Sequence, residues 1–139
     1  MAELNTDYFA RCIATLERAQ GYLSERTDDE AMYDIYRAAC VKEFEIILEQ
    51  SGKLLKKCLK PYFASPKQVD ALTFKDVFRH AAKHGLISVE AVERWLQYRD
   101  NRNDTAHDYG EGFAEETLNL LPQFIFDAKQ LNDVIAKRA

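Results

Sequence analysis

The chain predicts an all-α fold, with four main helices in an up-and-down bundle and a short extra helix. Three observations lead there. Apolar residues recur at the three- and four-residue spacing of a helix along most of the sequence. Strand signals are absent, since no period-two alternation is sustained and no Asn-Gly or Asp-Gly turn joins two apolar runs. Only five Gly and three Pro interrupt 139 residues, a length that fits a single domain spanning 1–139.

The first helix is expected from about Thr6 to Ser24, where Tyr8, Phe9, Cys12, Ile13, Leu16, Ala19 and Leu23 share a stripe. Thr27 with Glu30 has capping-box spacing and starts a second helix that stops near Leu59, before Pro61. Its stripe runs Tyr36, Cys40, Phe44, Ile47 and Leu54, with Cys58 following. Gly52 costs this helix ~1 kcal/mol relative to Ala, which close packing against another helix would justify. Residues 60–72, containing Pro61 and Pro66, read as the one long connection. Thr73 and Asp76 start a short helix that Gly85 ends, and Ser88 starts the next one. Gly110 and Gly112 break the chain. The last helix is expected from about Ala114 to Lys137, kinked or restarted near Pro122.

Composition is that of a globular protein, 47% hydrophobic and 30% charged. A net charge of −4 argues against holding nucleic acid by broad attraction, while leaving room for a local basic cleft. No apolar run approaches the ~20 residues that span a bilayer, and the first residues lack the pattern of a signal peptide. A cytoplasmic location with no membrane contact is expected. Cys12, Cys40 and Cys58 form no C-x-x-C pair and sit on apolar stripes, so they read as small core hydrophobes.

The informative segment is 99–109. On the helix begun at Ser88, the stripe Val89, Val92, Trp95, Leu96 continues into Arg99, Arg102, Asn103, Ala106 and His107. Groups of that kind are costly to bury unless each finds a partner. Asn103 and His107 are four apart, so the amide can hold the imidazole in one tautomer. Arg102 and His107 lie about 140° apart around the helix and flank a groove. A guanidinium and an imidazole are the minimum set for cleaving RNA without metal: the imidazole moves a proton and the cation stabilises charge on the phosphate. One imidazole is thin for both ends of that reaction, and a twofold interface along this face would supply a second. Arg99 is either a second phosphate contact or a partner for a neighbouring carboxylate.

Arg102-Asn103-Asp104-Thr105-Ala106-His107 resembles the R-x4-H motif of HEPN domains, with Asn directly after Arg. His107-Asp108-Tyr109 extends it to the R-x4-H-x-Y form of bacterial HEPN proteins paired with minimal nucleotidyltransferases. The second helix, from Arg37-Ala38-Ala39 through Lys53-Leu54-Leu55-Lys56, is similar to that of nucleotidyltransferase substrate-binding proteins. The resemblance implies a homodimer with the motif in a cleft between protomers. It also implies metal-independent endoribonuclease activity as the toxin of a toxin–antitoxin pair. Arg102 and His107 would then be catalytic, Asn103 and Arg99 supporting, and Tyr109 the hydroxyl to which a separately encoded nucleotidyltransferase transfers AMP. The alternative is a non-catalytic subunit that presents substrate to that enzyme, and a third reading is a structural adaptor.

Other features read more plainly. There is no P-loop or glycine-rich nucleotide fingerprint, so no cofactor is expected and a nucleotidyltransferase would be another chain. His80 and His84 have zinc-ligand spacing, but no third ligand is evident, so a solvated face and no metal are expected. The run Lys53, Lys56, Lys57, Lys60 is also expected on a solvated face, with Glu49 and Lys53 as an i,i+4 pair. Its alternatives are gathering RNA or docking a partner.

Overall fold

A computed structural model describes residues 5–25, 29–105 and 111–138. The helices are α1 (Asp7–Glu25), α2 (Glu30–Leu59), α3 (Pro66–Asp70), α4 (Phe74–Lys83), α5 (Val89–Thr105) and α6 (Glu111–Ala136), with a 3-10 turn at Lys60–Tyr62. Among the described residues there is no strand. Directions follow from which residues meet. Tyr22 of α1 lies against Tyr36 of α2, and Cys12 is in the field of Glu43, so α1 and α2 are antiparallel. Phe78 stacks on Trp95, and Lys75 pairs with Asp100, so α4 and α5 are antiparallel as well. Arg94 meets Asp127 and Asn101 meets Thr117, which sets α6 against α5. The four long helices α1, α2, α5 and α6 therefore alternate in direction. Short α4 runs parallel to α2.

Local sequence explains most of the boundaries. Phe9, Cys12, Ile13, Leu16, Ala19 and Leu23 are buried on α1 at helical spacing. Tyr8, expected on that stripe, is 51% exposed and lies at its edge. Thr73 caps α4 by accepting from Asp76 N at 3.1 Å, and Ser88 caps α5 by accepting from Ala91 N at 3.1 Å. Gly85 leaves α4 at φ +74°, a conformation costly for any residue with a Cβ. The cap of α2 differs from expectation: Asp29 accepts from Met32 N, and Thr27 lies outside the described residues. The connection 60–72 is also more ordered than expected, because Pro61 and Pro66 each sit near a helical start, where a missing N–H costs nothing. Helix α6 begins at Glu111, ahead of the expected Ala114, and continues through Pro122 without restarting.

The second half of α2 is the axis of the core. Phe44, Ile47, Leu48, Leu55 and Leu59 have no exposed surface, and they pack with Phe78, Trp95, Leu121 and Phe124 in one cluster. Phe44, Trp95, Tyr98 and Phe124 meet ring to ring with centroids 4.6–6.4 Å apart. Gly52 is where α4 comes closest to this axis: a Cβ there would stand 3.2 Å from Phe74 Cδ2.

Candidate functional site

The last turns of α5 form the candidate site. Its buried stripe differs from the expected one. Val89 is 62% exposed, while Val92, Trp95 and Tyr98 are buried. The core-facing line is thus rotated toward Tyr98, because that phenol finds a buried acceptor on α6. Tyr98 Oη donates to Asp127 Oδ2 at 2.6 Å, and Arg94 grips both Asp127 oxygens from Nε and Nη2 at 2.8 Å each. Gln123 adds a donor at 3.3 Å. Burial, then the bond to Asp127, push the Tyr98 phenol well up, so it stays protonated and donating.

Polar residues do continue along the core side of α5. Arg99 and Arg102 are both half-buried. The Arg99 guanidinium lies 5.1 Å from the centre of the Phe74 ring, a cation–π contact. Burial first, then the Arg102 charge, pull the Arg99 pKa down, while Glu49 of α2 opposes the shift. Glu49 in turn is held below the usual carboxylate range by its bond to Lys53 and by the fields of Lys53 and Arg102. Two arginines three residues apart on α5 are thus removed in part from water, within the field of the exposed Glu49. Like charges one turn apart on a helix repel. The start of α6 is tied beside this place: Asn101 Nδ2 donates to the buried Thr117 Oγ1 at 3.1 Å, and Glu115 accepts from Tyr33 and Arg37 of α2.

Asn103 lies in the last turn of α5, while His107 and Tyr109 lie outside the described residues. The structure therefore sets Arg99 and Arg102 on the half-buried side of α5, with Glu49 of α2 in their field. Glu49 was read from the sequence only as half of a surface pair, and that pair is present, with Lys53 Nζ 3.1 Å from Oε1. Sequence reading also missed the Asp127 cluster. Its signal was an acid inside the run Phe124-Ile125-Phe126-Asp127-Ala128.

Away from the site, the reading of the cysteines holds and that of the histidines does not. The three thiols are buried and unbonded, and burial drives the Cys40 pKa to about 11, which suits core residues rather than nucleophiles. His80 and His84 are not on a solvated face. Both are half-buried, with His84 stacked on Tyr62 at 3.9 Å and His80 edge-on to Phe63 at 5.0 Å. Tyr62 and Phe63, just after α2, lie against α4, so its imidazoles meet rings on one side. Among the described residues no His, Cys, Asp or Glu group has the makings of a metal site, and no helix is long and apolar enough to cross a membrane.

The family described as nucleotidyltransferase substrate binding protein like matches residues 4–137. The chain belongs to that family. Within reach of it is a Haemophilus influenzae protein named probable ribonuclease HepT, 26% identical over 140 residues, covering 98% of this chain and 94% of the relative. A solved Haemophilus influenzae structure, described as revealing the fold of a substrate binding domain of a nucleotidyltransferase, superposes with a TM-score of 0.82. It is 26% identical, and the match covers 94% of this chain and 98% of that one. A Thermus thermophilus crystal structure matches with a TM-score of 0.64 at 26% identity, over 86% of this chain and 98% of its own. Family membership thus spans the whole bundle, including the α5 segment where the R-x4-H motif begins.

Proposed function

We propose that this protein is a metal-independent endoribonuclease toxin, silenced by a separately encoded minimal nucleotidyltransferase that transfers AMP to Tyr109. The observation that carries the reading is the half-buried guanidinium pair Arg99 and Arg102 at the start of the R-x4-H motif. The naming of a relative along nearly the whole chain as a probable ribonuclease supports it. His107 takes the proton of an RNA 2′-hydroxyl, and the freed oxygen attacks phosphorus. The P–O5′ bond breaks, and a second imidazole, from the other protomer of a homodimer, returns a proton to the leaving oxygen. Arg102 stabilises the charge that grows on the phosphoryl oxygens, Arg99 adds a second cation, and Asn103 orients the imidazole. Tyr109 would attack the α-phosphorus of ATP with loss of pyrophosphate. The adenylyl group adds negative charge beside the cleft and repels RNA.

A second reading is favoured by the descriptions of the family and of the Haemophilus structure, which name a nucleotidyltransferase substrate binding protein and a substrate binding domain of a nucleotidyltransferase. In it, this chain presents substrate and cuts nothing. Incubation of the purified protein with RNA in excess chelator separates the two. The ribonuclease reading expects cleavage, a drop of about a hundredfold or more in His107→Ala, a comparable loss in Arg102→Ala, and an unchanged oligomeric state in both. Cleavage that persists in His107→Ala rejects the catalytic assignment. Absence of cleavage, with retained binding to the nucleotidyltransferase, establishes the second reading.

A further inference from the structure

The charge of this chain is strongly segregated. Residues 53–84 carry eight Lys or Arg and only two acids, whereas the remaining residues carry eleven Lys or Arg and twenty-one acids. The fold brings four of these cations to one end of the bundle, where two more from the end of the chain join them. Arg138 Nη1 donates to Tyr62 Oη at 3.2 Å, and the Tyr62 ring stacks on His84 at 3.9 Å. The C-terminal ends of α2, α4 and α6 therefore meet there, with Lys56, Lys57, Lys60, Lys83, Lys137 and Arg138 around them. Three helix C-termini carry about −1.5 elementary charges between them. Lys56 is half-buried and donates to Asp70 O at 3.2 Å, and the five exposed cations that remain exceed what the helix dipoles require.

We propose that this end of the bundle binds single-stranded RNA, with the lysines following the phosphates and Tyr62 stacking on a base. The proposal rests on the ribonuclease reading for the class of its ligand, and it adds a docking surface separate from Arg99 and Arg102. Tyr62 is 43% exposed, held by His84 and by Arg138 in a fixed orientation. A braced, accessible ring among cations is the arrangement that sequence-tolerant single-strand binding uses. The surface also leads to the candidate site. Lys53, Lys57 and Lys60 share one side of α2, Lys53 pairs with Glu49, and Glu49 lies in the field of Arg102. From Lys60 back to Glu49 is about 16 Å along the helix axis.

The test is fluorescence anisotropy of a labelled 2′-O-methyl oligouridylate, which lacks the attacking hydroxyl and cannot be cut, titrated at several KCl concentrations. Combined Lys57→Gln, Lys60→Gln and Lys83→Gln should lower the log–log salt slope by about 2 and weaken binding about tenfold or more. Tyr62→Leu should weaken binding about tenfold with little change of slope. Lys129→Gln, which removes a pair with Glu17 elsewhere on the surface, should bind as the parent does. Patch-dependent binding without cleavage of ordinary RNA would sustain this inference and defeat the ribonuclease reading. A parent that fails to bind, or patch variants that bind like the parent, would overturn it whatever the cleavage result. So would variants that keep RNA binding but no longer copurify with the nucleotidyltransferase, since the surface would then be a protein dock.

Discussion

A carboxylate that is 2% exposed destabilises a fold unless its charge is answered, and Asp127 is answered by Arg94, Tyr98 and Gln123. The two ends of its ion pair are not equivalent, because the Arg94 side chain is 36% exposed. Arg94→Met would leave a buried charge without its cation and should cost about 3 kcal/mol in urea unfolding. Adding Asp127→Leu should recover much of that loss, since the uncompensated charge is then gone. If the double variant is no better than Arg94→Met, the pair does more than neutralise itself. Cys40 gives a pH prediction. Burial raises its pKa from 9.0 to about 11, so the folded state favours the neutral thiol. The unfolded chain releases that proton first, and the stability this site contributes is therefore present below pH 9 and lost as pH climbs toward 11. Native protein at pH 9 should resist iodoacetamide at Cys40 and react fully in guanidinium, as read by peptide mass.

At the scale of elements, the contact between α2 and α4 links packing to the candidate site. Gly52 admits the Phe74 ring, and the same ring carries the Arg99 guanidinium on its other contacts. In Gly52→Ala, a helix-propensity gain of about 1 kcal/mol is set against a methyl 3.2 Å from a half-buried ring that can yield slightly. The net change in thermal stability should be under about 1 kcal/mol. Gly52→Leu leaves the ring no such room and should cost about 2 kcal/mol or more. That variant should also displace Arg99 and, under the proposed ribonuclease function, weaken RNA cleavage before it unfolds the protein. The expected helices were legible at this scale where a cap residue and an apolar period agreed, as at Thr73 and Ser88. They were misjudged where caps lay close together, as at Thr27 and Asp29, and where prolines in the connection started short helices instead of preventing them.

For the whole molecule, the sequence by itself determined the helical class, the alternation of four long helices and the segment of α5 where the R-x4-H motif begins. Each is local information: a period of 3.6, a cap, or a run of side chains out of character with its stripe. The tertiary structure alone decided which side of α5 faces the core, because that depends on Asp127, some thirty residues away in sequence. It also decided that Glu49 comes into the field of Arg102, that His80 and His84 pack against rings, and that four cations of residues 53–84 meet Lys137 and Arg138 at one end. Charge and burial act through space, so a residue's partners across helices stay hidden until the chain has folded.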